Sequence, residues 1–593
     1  MTQQPHAAQI SEEPFVFQVA DALRHFLLEH SGENGVDFSI GTPPTSLAIR
    51  MKQMEMLFGT AEDPFTPDSF ESQLFSVFSN LVFFMGRYES PGGRDDLRAQ
   101  FGFTKDSLQK GISATVISGG TKKALALWHI VKDRFPNVKN VVASDKEADA
   151  ALNNTKTVVV LSTPLMERCG LAVFVGPKKI VDEMQSLHIG LLGTPSAPQQ
   201  DLFFLLNDPN IRRYLENEAS FEEENCLSQI LAFVSLVYHE PLAALQREGE
   251  NLKKQFAQLF IKNFFPKPAA TGKIQMVAGN GGGRQALAII EKVLASKGVE
   301  HMILLKPHWS YHHVYRAMKL HSLPVGSDGQ PDFALLEEAL KQFSRDGKKA
   351  NTAITINSPN NPTGAVYTRS NLEKLLQLCV KYNTYLVDDA CYIHLVRERE
   401  KEKPILLDLA FKMVQDGALK AAMLEKIYTA VSASKGLGMA GGRIGGILFS
   451  DAGIHEMVAA KYGEELPHLM AFFLGCQLMS DSKAFTELLR EINHEIDERV
   501  LKVTAILDQH KVVYKKPAGA FYIEAEAPFL KKRVADMKAF ALQMAREKGV
   551  AFMPMEVFGG KPYSIRLSLG GEKVPEQLQQ ETEIFLSHLL DLT

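Results

Sequence analysis

The chain has 593 residues, 45% of them hydrophobic and 23% charged, which excludes a single small module, a disordered chain and a fibrous one. Lys and Arg number 65 against 69 Asp and Glu, and the formal charge of -4 provides no broad basic field for nucleic acid or an anionic membrane surface. The expected partner is a small molecule or another protein.

At the N-terminus, MTQQPHAAQISEEPF has neither the basic start nor the apolar stretch of a signal peptide, and no segment approaches the ~18 apolar residues of a membrane helix. A cytoplasmic protein is expected. Cys169, Cys226, Cys379, Cys391 and Cys476 are scattered without a CxxC pair, which argues against a disulfide framework and a cysteine-based zinc site.

Residues 1–226 have a less regular pattern than the rest, but they contain two internal similarities. Ser118–Leu125 (SGGTKKAL) resembles Asn280–Leu287 (NGGGRQAL), each following a β-like run and opening a helix, at an offset of 162. Gly170–Asp208 lies without gaps over Arg443–Asp481 at an offset of 273. The region is expected to be a shortened, diverged copy of the module that follows, with chance similarity between amphipathic segments as the alternative.

From about residue 272, short β-branched runs alternate with amphipathic stretches, as in parallel βαβ units. Strands are predicted at Ile274–Ala278, Met302–Leu305, Thr352–Ile356, Tyr385–Val387, Ile427–Val431 and Ile444–Phe449, and helices at Arg284–Leu294, Phe333–Phe343 and Arg369–Tyr382. The pattern predicts a three-layer α/β domain with a mainly parallel sheet. A long charged helix, about Ala484 to Gln509, leads into a small α+β C-terminal domain. The expected division is 1–226, 227–509 and 510–593.

Six segments carry chemistry: Gly281-Gly282-Gly283, Pro307-His308-Trp309, Ser358–Gly364 (SPNNPTG), Asp388–Tyr392 (DDACY), Ser432–Lys435 (SASK) with Arg443, and Tyr563–Ser568 (YSIRLS). Each alone is ordinary: a glycine-rich turn, a core tryptophan, a solvated lysine. Together, in this order and spacing, they resemble the class I/II aminotransferases, pyridoxal 5'-phosphate (PLP) enzymes of fold type I, over roughly residues 230–593.

That resemblance implies a role for each residue. Lys435 would form the Schiff base and move the proton, since the cofactor needs an amine that does both. Asp389 would keep the pyridine nitrogen protonated, and is preferred over Asp388 because the family motif sets its acid three residues before the tyrosine. Tyr392 and Asn361 would hydrogen-bond the 3'-oxygen. Arg443, Ser432, Ser434 and the helix start Gly282-Gly283-Arg284 would hold the phosphate, where free N–H groups favour an anion. Trp309 would stack on the ring. Arg566, with Asn361, would bind the substrate carboxylate through a fork that lysine cannot reproduce. Met555 departs from the family pattern, which has glycine at that position.

At the 273-residue offset, Ser162 takes the place of Lys435 and Gly170 that of Arg443, so the N-terminal copy cannot hold a Schiff base. It does keep Tyr88–Arg98 (YESPGGRDDLR), resembling the segment that presents a tyrosine to the cofactor phosphate of a neighbouring subunit. Residues 1–226 are thus expected to act as a built-in partner with Tyr88 completing the site, or else only to pack and oligomerise. The expected activity is amino-group transfer between an L-amino acid and a 2-oxo acid by a homo-oligomer, a dimer or higher, with no metal. A PLP-dependent lyase or decarboxylase, and a non-catalytic scaffold, are the alternatives, because fold resemblance does not fix reaction type.

Overall fold

The computed structural model describes residues 15–29, 35–39, 46–58, 85, 93–99, 111–118, 120–135, 138–143, 157–191, 194–217, 226–343, 351–397, 405–463 and 465–590. In chain order, β1 (Val36–Asp37) follows the helix Phe15–Glu29. A four-stranded sheet is then built from β2 (Ile112–Ser118), β3 (Lys139–Ala143), β4 (Thr157–Leu161) and β5 (Leu171–Pro177) in the order β2-β5-β4-β3. Strand β5 runs antiparallel to both its neighbours, while β4 and β3 are parallel.

The central sheet has seven strands: β6 (Gln275–Asn280), β7 (His301–Lys306), β8 (Lys319–Pro324), β9 (Thr352–Ile356), β10 (Tyr385–Asp389), β11 (Ile427–Ser432) and β12 (Ile444–Phe449). Their order is β6-β12-β11-β10-β9-β7-β8. Strand β12 is antiparallel to β6 and β11, and the other pairs are parallel. This is the mainly parallel α/β sheet that the alternating pattern predicts. All six predicted strands are present, shifted by three residues or fewer, whereas β8 was not foreseen: KLHSLP lies partly exposed at the sheet edge and shows no apolar run.

Both faces of the sheet are covered, which is why its strands are nearly continuous in apolar residues. On one face Met302, Leu304, Ala353, Val387 and Tyr428 meet Leu287, Ile290 and Leu294 of the helix Gly282–Ser296. Burying each such leucine or isoleucine contributes about 1.5–3 kcal/mol. Ile303, Ile354, Leu386 and Ile427 pack on the other face into the main core, with Leu372, Leu375 and Leu376 of the helix Arg369–Lys381. Thr368 caps that helix by accepting from Asn371 N.

The helix Ser482–Gln509 leads to a four-stranded sheet of β13 (Tyr514–Lys515), β14 (Tyr522–Glu526), β16 (Met553–Pro554) and β17 (Ser564–Ser568), ordered β13-β14-β17-β16. Strand β15 (Val550–Ala551) instead pairs in parallel with β1, so residues 36 and 37 lie against the C-terminal part of the chain. Val19, Ala22 and Leu23 of the first helix share a core with Met553, Met555 and Phe558. Met555, in place of the family's glycine, fills this core and is fully buried. Among the described residues no helix is long and apolar enough to cross a membrane.

Candidate active site

In sheets of this kind the carboxyl ends of the parallel strands form the ligand crevice, because each strand there hands over to a loop or a helix N-terminus. The predicted residues gather at that edge. Asp389 ends β10, and Ser432 ends β11 and caps the short turn Ala433–Gly436 that carries Lys435. Strand β12, running the other way, begins directly after Arg443, while β6 ends at Asn280 before the glycine triplet.

Lys435 is 6% exposed. Its Nζ lies 5.6 Å from the ring centres of both Tyr392 and Phe521. Asp389 is fully buried: burial raises its pKa, while hydrogen bonds from Cys391 and Tyr311 and the nearby Lys435 charge oppose the rise. Tyr311 Oη donates to Asp389 Oδ2 at 2.8 Å. Asp388 points to the opposite face of the strand, and burial pushes its pKa up to about 8, with the Asp389 charge adding to the rise. Of the two carboxylates, only Asp389 shares its surroundings with Lys435.

The loop after β9 reaches the same place. Asn357 ties it down by donating to the Asp389 carbonyl at 2.8 Å and accepting from Asn361 N at 2.7 Å. Asn361 Nδ2 then donates to Tyr392 Oη at 3.3 Å, and Asn361 Oδ1 accepts from Arg566 Nη1 at 2.9 Å. Arg566 is 3% exposed, with its guanidinium 4.7 Å from the Tyr522 ring and 4.8 Å from the Phe558 ring. Its second terminal nitrogen donates to the Ser39 carbonyl. Burial lowers its pKa, and Tyr522, Tyr392 and Asp37 oppose that shift.

An anion cradle lies at the other end. Gly281 and Gly282 have φ of +78° and +61°, a conformation that turns the chain sharply into the helix Gly282–Ser296 and leaves its first N–H groups unbonded within the helix. Arg443 Nη2 donates to the Gly281 carbonyl at 3.1 Å, and Nη1 lies 3.5 Å from Ser434 Oγ. Ser432 Oγ donates to Ser434 Oγ at 2.8 Å. The Arg284 guanidinium lies 4.6 Å from the centre of the Trp309 ring.

The structure thus brings Lys435, Asp389, Tyr392, Asn361 and Arg566 into one buried group, with Gly282, Gly283, Ser432, Ser434 and Arg443 in the cradle beside it. Trp309 joins the group through Tyr311, at 5.4 Å edge to face. Tyr88 lies outside the described residues. Four participants were not foreseen: Tyr311, Asn357, Tyr522 and Ser39. Tyr522 Oη is 2.7 Å from Tyr392 Oη. Among the described residues no three His, Cys, Asp or Glu side chains gather to hold a metal.

The family model described as aminotransferase class I and II matches residues 250–580, more than half of the chain, which takes in the site from Gly281 to Arg566 but not Ser39. The aspartate/prephenate aminotransferase of Thermus thermophilus is 29% identical over 315 residues, covering 51% of this chain and 73% of its own length. The aspartate aminotransferase of Thermotoga maritima is 31% identical over 237 residues, 38% of this chain and 54% of its own. Among solved structures, the aspartate aminotransferase from Thermus thermophilus with maleate matches at 23% identity and a TM-score of 0.47, covering 57% of this chain and 81% of its own.

Proposed function

Because the chain belongs to the class I and II aminotransferases, and so is a PLP-dependent aminotransferase, we propose that its amino-group transfer is carried out by the residues around Lys435. The cofactor supplies an aldehyde that accepts the amino group and a ring that withdraws electrons from the substrate Cα. The donor set fits such a group: a buried amine, a buried carboxylate, an arginine, two hydroxyls and a bare glycine turn at a helix N-terminus. At Gly283 a Cβ would lie 2.3 Å from Cys391 Sγ, so the backbone there must stay uncovered.

In this reading Lys435 would bind the cofactor through its amine and would carry the proton to and from the substrate Cα. Asp389, whose Oδ2 accepts from Tyr311, would pair with the pyridine nitrogen and favour its protonated form. Tyr392 and Asn361 hold the ring oxygen. Arg443, Ser432, Ser434 and the N–H groups of Gly282 and Gly283 hold the phosphate. Arg566 takes the α-carboxylate of the amino acid or 2-oxo acid, and the rings of Tyr522 and Phe558 keep water from its faces. The observation that carries the reading is the burial of Lys435, just after β11, beside Asp389 at the end of β10, 46 positions apart (435 minus 389).

For residues 1–226 we propose a truncated copy of the catalytic module, preceding a PLP-binding unit of 227–509 and a small unit of 510–593. The sheet order β2-β5-β4-β3 has the same directions as β6-β12-β11-β10, and this match supports the copy.

The test is an absorption spectrum of the purified protein, followed by product analysis with a panel of amino acids and a 2-oxo acid acceptor. A visible cofactor band that is lost in Lys435→Ala, with new amino and 2-oxo acids formed in equal amounts, is expected. Retention of the band in that variant, or release of ammonia or carbon dioxide without an acceptor, refutes the assignment.

A further inference from the structure

The anion cradle is not held by the catalytic module alone. Lys123, on the helix Gly120–Val131 that follows β2, pairs with Glu465 across the boundary between the two sheets. The Glu465 side chain is 2% exposed and that of Lys123 14%, so this pair sits where water screens little. Glu465 Oε2 accepts from Asn280 Nδ2 at 3.3 Å, and the same amide nitrogen donates to the Leu466 carbonyl at 3.0 Å. Asn280 is the last residue of β6, directly before Gly281. A bonded path therefore runs from Lys123 through Glu465 to the residue that sets the glycine turn.

A second N-terminal contact braces the other half of the cradle. Ser196 Oγ donates to the Gly442 carbonyl at 3.3 Å, where His468 Nδ1 also lies at 3.3 Å. Gly442 precedes Arg443, whose φ of +53° places a non-glycine residue in the left-handed region. Such a backbone persists only where its surroundings fix it, and Ser196 is one of the groups that do so.

We infer that Lys123 and Ser196, both from the N-terminal sheet region, are positioning residues for the cofactor's phosphate, acting through Glu465–Asn280 and through Gly442–Arg443. The inference rests on assigning the phosphate to this cradle. Lys123 acts by charge as well as by position. Without it, Glu465 is left as an uncompensated buried carboxylate behind the turn that must receive an anion, and at low effective dielectric that repulsion is strong. Removing Lys123 therefore weakens binding of the phosphate in particular. Ser196 acts by geometry, holding the carbonyl next to the residue whose guanidinium faces the anion.

The test compares dissociation constants of PLP and of pyridoxal, which lacks the phosphate, by fluorescence titration of the full-length apoprotein. In Lys123→Met the PLP constant is expected to rise about 10-fold, the scale of one hydrogen bond to a charged group, with that of pyridoxal nearly unchanged. Lys123→Arg should retain wild-type values, and Lys123→Met combined with Glu465→Gln should recover most of the loss. Ser196→Ala, a change too small to threaten folding, should show the same selectivity to a lesser degree. Parallel weakening of both ligands, which is the signature of a merely structural role, or no change in either overturns the inference. Arg443→Gln separates it from the underlying assignment. If that variant binds PLP and pyridoxal as the wild type does, the phosphate assignment fails; if it is selectively impaired while Lys123→Met and Ser196→Ala are not, only the N-terminal brace fails.

Discussion

Glu291 offers a quantitative test of how the site's loop is anchored. It lies on the helix Gly282–Ser296, 5% exposed, and its carboxylate accepts from Ala317 N at 2.6 Å, with Arg316 and Met318 N–H also contributing. Those bonds hold the end of the segment that carries Tyr311 against Asp389. Burial nonetheless dominates and pushes the Glu291 pKa from 4.5 to about 7. A folded-state pKa above the unfolded one means that the proton stabilises the fold. The contribution is complete below pH 4.5 and is lost as pH rises through about 7.

Each pKa unit corresponds to about 1.4 kcal/mol, so roughly 2.5 kcal/mol should disappear between about pH 5 and about pH 8. Glu291→Gln keeps an oxygen acceptor in place and does not titrate. Urea denaturation of both proteins at several pH values measures the difference, and groups common to both cancel. His188 and His468, which burial pushes down to about 3 and about 4, bias stability in the opposite direction, toward loss as pH falls from 6.5, but equally in both proteins. The wild type should lose stability relative to the variant as pH rises. Parallel pH profiles would refute the argument that burial outweighs the three N–H donors.

Three further outcomes are expected. Tyr311→Phe removes the donor to Asp389 Oδ2 and should raise the carboxyl pKa further, because that bond opposes the rise caused by burial; the shift is read as a displaced pH titration of the cofactor band. Gly283→Ala forces a Cβ to within 2.3 Å of Cys391 Sγ and should cost about 1–3 kcal/mol by thermal unfolding; because Cys391→Ala removes that sulfur, the double variant should regain most of the loss. Arg566→Lys keeps the charge but not the planar fork, and kcat/KM for amino acids should fall about 10- to 100-fold with PLP affinity unchanged.

The central sheet was legible because strands buried on both faces must be apolar throughout, as in TAITI at β9 and IYTAVS at β11. Strand β8, partly wet, lacked that signature. Lys435, Asp389, Asn361, Arg443 and Arg566, the candidates that the fold gathers, were legible because each sits in a short motif with its own glycine, proline or aromatic neighbours. Tyr311 and Asn357 act through bonds to side chains and carbonyls more than 30 positions away, which no local spacing announces. The pairing of β1 with β15 was equally invisible, since two residues carry no period.

The bond from Arg566 to the Ser39 carbonyl spans 527 positions of chain. A ribosome making this protein releases Ser39 527 residues before Arg566, so the Ser39 carbonyl waits for the proposed carboxylate anchor over all of that stretch. Contacts of such separation close slowly, after the local units on either side have formed. A nascent chain stopped short of β17 would already contain Lys435, Asp389 and the glycine turn, yet would have nothing to grip the substrate. Assembly of the proposed site therefore waits for β17, long after its other residues have been made.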